Sequence, residues 1–319
     1  MTIDALPDLS PGSGEVAVDV VAAGVGFVDT LVVSGRYQNI PACPFTPGME
    51  FAGRVRAVGA DVSGVRVGDR VAAYVLNGAF AEQAVAPVGS FYPVPEDVPL
   101  DQAALLCGAY LTAHFALVAR GRLQPGEAVL IGGAGGAVGL AAVQIAKALG
   151  ARVLAGVRSA ADRDAVIEAG ADAVIDLSGS SLHDAVRAQV SAATDGRGAD
   201  VVIDPIGGDF LPAALRATAW CGRLVVIGFA AGEIPTVKVN YLLLKNISIV
   251  GLDLSQYRSR TPDLLGRVQG ELFDLWRRGF LKPRIAHHFS FEQVPDAVKF
   301  VANGRSSGRA IIHIGSEAA

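Results

Sequence analysis

Unbroken apolar runs separated by helical patterns dominate the middle of the chain. A run of Val, Leu and Ile begins at Val129 without alternation, which is typical of a strand buried on both faces of a parallel sheet. A glycine-rich turn follows, and apolar residues from Val138 to Leu149 recur at helical spacing. Gly150 ends that helix, and a second apolar run covers 152–157. The pattern predicts a strand, a glycine turn, a helix and a second strand.

The same alternation continues after Val157. A strand is predicted at 173–176, buried strands at 201–203 and 224–227, and a last strand at 247–252, with helical patterns between them. Strands that alternate with helices in this way predict a doubly wound parallel sheet.

Short strands separated by turn residues precede this region. Residues 15–22 alternate between apolar and polar, and further short strands are predicted at 51–58, 69–74 and 80–85. This spacing predicts a small domain of the β-barrel type. The closing strand at 309–314 is expected to rejoin it, because the parallel sheet is already complete by Leu252.

Composition narrows the function classes. The 319 residues are 51% hydrophobic and 18% charged, which suits two domains with large cores. A net charge of -4 and the lack of a basic tract disfavour nucleic acid and anionic membranes as partners. Three isolated cysteines predict neither a disulfide framework nor a structural zinc site. The first residues carry no secretory pattern, so a cytoplasmic location is expected.

The glycine turn is a candidate dinucleotide site. Its Gly133, Gly136 and Gly139 have the spacing at which a pyrophosphate can approach a helix N-terminus without a Cβ in the way. The strand and helix on either side are the context that this motif requires. An ordinary glycine-rich turn is the alternative interpretation. The predicted contacts are Gly133, Gly135, Gly136, Ala137, Val138 and Gly139.

The end of the second strand bears on which cofactor is bound. NAD-binding folds usually carry Asp or Glu there, which holds the ribose 2′-hydroxyl, whereas NADP-binding folds favour a cation. This chain has Arg158 and Ser159 and no carboxylate at that point. NADPH is therefore the expected cofactor, and a solvated loop arginine is the alternative.

Five segments of the chain carry a family resemblance. In order and over nearly the whole chain, they resemble the zinc-free, zeta-crystallin-like quinone oxidoreductases of the medium-chain dehydrogenase family. The segments are AAGVGFVDTLVVSGRYQ (22–38), PFTPGMEFAGRV (44–55), VRVGDRV (65–71), GGAGGAVGLAAVQIAKALGA (132–151) and GFAAGEIP (228–235).

The resemblance implies a fold, an assembly and further contacts. It implies a GroES-like catalytic domain at 1–108 and 253–319 around a Rossmann domain at 109–252, with NADPH in the cleft between them. It also implies a homodimer in which edge strands near 247–252 pair. By family analogy, the cofactor contacts include Thr112, Gly228, Phe229 and Asn240.

The chain departs from the family pattern at several positions. Zinc-dependent relatives carry Cys and His where Gly26 and Met49 stand here, so no catalytic metal is expected. The quinone reductases usually carry Asn at Gly26, and often Tyr at Leu31 and Leu177, whereas Tyr37 matches a second family tyrosine. Family members also usually have a further edge strand before the position of Thr2. Compared with them, this sequence is expected to start after that strand.

The residues indicate that the cofactor supplies the chemistry. Without a metal or a base-paired nucleophile, the expected reaction is hydride transfer from NADPH to a quinone. Tyr37 is the candidate proton or hydrogen-bond donor to the acceptor oxygen, with backbone amides or water as rivals. The alternative is that Tyr37 only packs within its loop. Reduction of an enone or 2-enoyl thioester is the second hypothesis. The third is a weakly catalytic, crystallin-like NADPH-binding protein.

Residues 304–308 (GRSSG) match the residue spacing of the hydrolase motif GxSxG. A nucleophile elbow requires a strand before the serine and a helix after it, and here the order is reversed, so the match is attributed to chance. Arg305 and Arg309 are expected at the surface or on a cofactor phosphate.

Overall fold

The chain folds into two compact units. The computed structural model describes residues 1–179, 181–304 and 307–316, so Arg305 and Ser306 of the GxSxG match lie outside the described residues. The first unit comprises Met1–Leu111, Tyr257–Arg278 and Pro283–Ala319, and the second Thr112–Gln256 and Gly279–Lys282. The predicted domain ranges differ from these by a few residues, and the roles assigned to those domains stay a prediction.

Thirteen strands and eleven α-helices are found among the described residues. Up to residue 120 they are β1 (Glu15–Val25), α1 (Phe27–Val33), β2 (Glu50–Val58), β3 (Arg70–Tyr74), β4 (Gln83–Pro87), β5 (Phe91–Pro93), α2 (Leu100–Leu105) and α3 (Gly108–His114), followed by a π-helical segment at Phe115–Arg120. Next come β6 (Ala128–Ile131), α4 (Ala137–Ala148), β7 (Arg152–Val157), α5 (Ala160–Glu168), β8 (Ala173–Asp176), α6 (Leu182–Ala193), β9 (Ala199–Asp204), α7 (Phe210–Ala217), β10 (Thr218–Val226), α8 (Asn240–Lys245) and β11 (Ser248–Gly251). The last are α9 (Leu254–Arg260), α10 (Pro262–Arg277), β12 (Ile285–Ser290), α11 (Val294–Ala302) and β13 (Arg309–His313).

The first unit is built on a seven-stranded sheet. Its strand order is β12-β13-β1-β2-β3-β5, with β4 also paired to β1. Strand β1 is central because it pairs antiparallel with β2, β4 and β13, and Ala22 lies opposite His313. The expectation that the closing strand rejoins this domain is therefore confirmed.

Strand β12 was not expected from the sequence. It lies at the edge of the sheet, where it pairs parallel with β13, and most of its side chains, including His287 and His288, face solvent. An edge strand of this kind lacks the apolar alternation by which strands are recognised.

The second unit is a six-stranded parallel sheet in the order β11-β10-β9-β6-β7-β8. Strand β6 is completely buried, and β7 and β9 nearly so, as their unbroken apolar runs predict. The strand order is that of a doubly wound dinucleotide-binding fold, and it reverses between β6 and β9. The predicted fold class, a GroES-like domain with a Rossmann domain, is confirmed. No helix in the described part of the chain is long and apolar enough to span a membrane.

Candidate functional site

The glycine turn between β6 and α4 is tightly constrained. Gly133 has φ of +57°, a left-handed conformation that disfavours a side chain. A Cβ on Gly139 would stand 2.6 Å from the Cα of Ala134, so α4 packs directly on the turn because this position has no side chain. The amide of Ala134 donates to the carbonyl of Gly156 at 2.9 Å, which ties the turn to β7. These contacts fix the start of α4 at the reversal point of the sheet.

The start of α4 has the chemistry of an anion site. Gly136 is the N-terminal capping residue and carries no side chain that could bond the amides of Ala137 or Val138. The first amides of a helix have no intrahelical acceptor, and the helix dipole favours negative charge there. The turn and the helix start therefore fit a pyrophosphate.

The segment after β7 carries two side chains of opposite charge, Arg158 and Asp162, and Asp162 lies against the turn. Arg158 is exposed immediately after β7. Ser159 caps α5, and its Oγ accepts from the amide of Ala161 at 3.1 Å. Asp162, in the first turn of α5, lies so close to Gly135 that a Cβ there would meet its carboxylate. Asp162 was missed in the sequence because the acidic residue was sought at the end of the strand.

Residues that follow β9 and β10 lie at the same carboxyl edge of the parallel sheet. The ring of Phe229 packs on Gly207, where a Cβ would stand 2.8 Å from its Cδ1, and Gly228 lies against the backbone of Pro205. Asp204 ends β9, and its Oδ1 accepts from the amides of Ile206 and Gly207 at 2.8 and 2.9 Å. Burial raises the pKa of Asp204 above its ordinary value.

The structure brings together only part of the predicted site. The glycine turn, Arg158 with Ser159 and Gly228 with Phe229 all follow parallel strands, so they share one edge of the sheet. Asn240 is exposed at the start of α8, and Thr112 is half-buried in α3. Tyr37 is half-buried in the loop between α1 and β2 of the first unit. The roles of all these residues stay predictions.

A buried ionic cluster lies in the first unit. Arg309, only 5% exposed, forms an ion pair with the equally buried Glu50, so the surface or phosphate role expected for Arg309 is wrong. Gly24 leaves room for this pair, since a Cβ there would clash with both side chains. Glu50 also accepts from the amide of Gly108 at 2.6 Å, and Asp29 from that of Gly26 at 2.7 Å. Desolvation lowers the pKa of Arg309 to about 10, against the opposing charge of Asp29.

Comparison with known proteins identifies the family. The Alcohol dehydrogenase GroES-like domain matches residues 12–96 and the Zinc-binding dehydrogenase model residues 137–270. The Quinone oxidoreductase-like protein 2 of Rattus norvegicus is 38% identical over 315 residues, which cover 98% of this chain and 89% of the rat protein. The chain belongs to the zinc-free quinone oxidoreductase branch of the medium-chain dehydrogenases.

Two solved structures resemble this medium-chain dehydrogenase closely. A mycobacterial structure complexed with NADPH has a TM-score of 0.90 at 30% identity, covering 97% of this chain and 94% of that chain. The CurK enoyl reductase has a TM-score of 0.86 at 27% identity, covering 98% and 94%. The protein is therefore an oxidoreductase of this family.

The zinc ligands of other medium-chain dehydrogenases have no counterpart at Gly26 and Met49. Among the described residues, no group of three or more His, Cys, Asp or Glu side chains could hold a metal ion. Glu50 directly follows Met49, but its carboxylate forms an ion pair with Arg309 and accepts a hydrogen bond from the amide of Gly108.

Asp29 makes the stability of this medium-chain dehydrogenase depend on pH. Desolvation raises the pKa of Asp29 to about 7, whereas an unfolded Asp titrates near about 4. The folded state therefore retains a proton that the unfolded state loses, so this stabilisation is complete below pH ~4 and is lost as the pH rises through ~7. We expect Asp29→Asn, which mimics the protonated acid, to flatten the fall in urea midpoint between pH 5 and 8. An identical fall in both proteins would contradict the burial of an ionisable Asp29.

Proposed function

We propose that the protein is an NADPH-dependent reductase that transfers hydride to a quinone. The observation that carries the cofactor choice is the exposed Arg158, which follows β7 where a cation can meet a ribose 2′-phosphate. The glycine turn at the start of α4, the NADPH bound to the mycobacterial neighbour and the name of the rat relative support the same reading.

The chain's own residues then have distinct tasks. When bound, NADPH supplies a hydride to an electron-poor acceptor. The first amides of α4 neutralise pyrophosphate charge, and Gly228 and Phe229 position the nicotinamide end. Tyr37 donates to the acceptor oxygen that becomes negative as hydride arrives.

Arg158→Ala is expected to raise the KM for NADPH roughly ten- to hundredfold, the effect of losing one or two hydrogen bonds to a charged group. The KM for NADH should stay unchanged, because NADH has no 2′-phosphate. Asp162→Asn should act in the opposite direction and lower the KM for NADPH a few-fold by removing a negative charge beside the turn. Steady-state kinetics with both cofactors measure these effects.

Arg163→Ala is the matched control, since Arg163 is also an exposed arginine but lies in the first turn of α5, five residues after Arg158. It should leave the ratio of the two KM values unchanged. If Arg158→Ala raises the KM for NADH as much as the KM for NADPH, the role given to Arg158 is excluded.

Reduction of a 2-enoyl thioester is the second candidate, favoured by the similarity to the CurK enoyl reductase. A higher kcat/KM for an enoyl thioester than for phenanthrenequinone, measured with the same enzyme and NADPH, would favour it. Tight NADPH binding without turnover of either acceptor would favour the crystallin-like, weakly catalytic alternative.

A cytoplasmic homodimer completes the proposal. Among the described residues, strand β11 pairs with β10 alone and ends the parallel sheet of the second unit. The neighbouring Leu243 and Leu244 are 79% and 71% exposed. An unpaired edge beside exposed leucines suits pairing with a second copy.

Leu243→Glu is therefore expected to convert a dimer to a monomer in analytical ultracentrifugation at micromolar concentration, because it places a charge in the apolar contact. Leu9→Glu, at an exposed leucine of the first unit, is the control and should remain dimeric. A wild-type monomer would contradict the proposed assembly.

A further inference from the structure

Three side chains from separate elements lie close together beside the buried ionic cluster. Tyr74 ends β3, Tyr92 lies on the neighbouring β5, and Arg258 comes from α9, all within the first unit. The guanidinium carbon of Arg258 lies 5.4 Å from the centre of the Tyr74 ring, within range of a cation–π contact. The same ring contacts Gly108, where a Cβ would stand 3.2 Å from its Cε2.

Two buried hydrogen-bond donors of this cluster have no acceptor among the residues that the structure describes. Tyr92 is 3% exposed, and its hydroxyl makes no hydrogen bond within the described residues. Nη1 of Arg258 is also buried without an acceptor in that part of the chain. Such groups cost free energy unless something bonds to them, so two near one another need an explanation.

The neighbouring groups do not supply that acceptor. Cys107, which also lies near Tyr92, donates its thiol to the carbonyl of Ala103 at 3.6 Å. Desolvation raises the pKa of Tyr92 well above its ordinary value, and the charge of Arg258 opposes this rise. The Tyr92 hydroxyl therefore keeps its proton over the physiological range and remains a donor beside a cation.

We propose that the Tyr92 hydroxyl and Arg258 bind the carbonyl oxygen of the hydride acceptor, with Tyr74 offering its ring to the acceptor's conjugated plane. This inference rests on the proposed function and deepens it. A carbonyl oxygen accepts hydrogen bonds from two donors, so in this inference Tyr92 and Arg258 take the place given to Tyr37 above. The oxygen gains negative charge as hydride arrives, which a guanidinium stabilises. Quinones, enones and enoyl thioesters share this oxygen, so the site selects conjugated carbonyl compounds as a class.

Tyr92→Phe separates this role from a structural one, because it removes only the unpartnered hydroxyl. We expect the KM for phenanthrenequinone to rise about tenfold, with the KM for NADPH unchanged and the urea midpoint equal to or above that of the wild type. Arg258→Met should lower kcat/KM for the quinone more strongly, and Arg258→Lys should recover part of it. Tyr110→Phe, at another buried tyrosine, is the control and should leave the quinone KM unchanged.

Unchanged quinone kinetics in Tyr92→Phe and Arg258→Met would overturn the inference. A lower urea midpoint in Tyr92→Phe would also overturn it, because it would show that the hydroxyl stabilises the fold. Binding of phenanthrenequinone, measured by isothermal titration calorimetry, keeps this test separate from the proposed function. A wild type that binds the quinone without turning it over contradicts the proposed function alone. Equal quinone affinity in wild type and both variants contradicts the site.

Discussion

Replacing Arg309 with methionine should lower the free energy of unfolding by about 3–5 kcal/mol, the usual cost of removing one partner from a buried ion pair. Glu50, of which 5% of the side chain is exposed, would keep a carboxylate in a low-dielectric interior without its cation. Asp29 would lose the same positive charge, which now opposes the rise of its pKa. Urea unfolding of the full chain, followed by circular dichroism, measures the loss.

The double variant Glu50→Gln/Arg309→Met distinguishes the cost of an unpaired buried charge from the cost of lost packing. Because it removes both charges, it should recover a large part of the stability lost in Arg309→Met. Arg56→Met is a second control, because its ion pairs with Asp8 and Asp19 are exposed, and it should cost at most about 1 kcal/mol. An Arg309→Met protein as stable as the wild type would contradict the buried pair.

Gly139→Ala should weaken NADPH binding roughly tenfold or more and lower the free energy of unfolding by about 1–3 kcal/mol, as overpacking does. The new methyl group would stand 2.6 Å from the Cα of Ala134 and would also meet the carbonyl of Gly133. Helix α4 would have to move away from the turn, and its first amides would leave the position that suits a pyrophosphate. Fluorescence titration with NADPH and urea unfolding measure the two effects.

Gly266→Ala supplies the matched control, since Gly266 lies on the exposed face of α10 with nothing within 4 Å of an added Cβ. The same change should there stabilise the protein by about 0.5–1 kcal/mol and leave NADPH binding unchanged. If Gly139→Ala binds NADPH as tightly as the wild type, the turn is not the pyrophosphate site.

The sequence predicted what depends on local patterns. Strands β6 and β7, helix α4 and the turn at Gly133 lie within thirty residues, and their periodicity and glycine spacing identify them without knowledge of distant contacts. The parallel sheet followed from the alternation of strands and helices. Strand β12 was missed because it is an edge strand whose exposed side chains carry no apolar pattern.

The contacts that span the chain could not be predicted. Glu50 pairs with Arg309 only because β1 brings β2 and β13 together on its two sides, and no local signal marks either residue as buried. Tyr92 and Arg258 likewise meet through the assembly of the first unit from both ends of the chain. Asp162 lies near the glycine turn through the packing of α5, which a rule based on strand ends does not include.

Acceptor-dependent oxidation of NADPH and NADH by the purified wild-type protein tests the central claim most directly. The acceptors are phenanthrenequinone, a simple enone and a 2-enoyl thioester. The reaction is followed by the loss of absorbance at the wavelength of the reduced cofactor. The proposed function predicts turnover of the quinone with a higher kcat/KM for NADPH than for NADH. Binding of NADPH without turnover of any acceptor would contradict it.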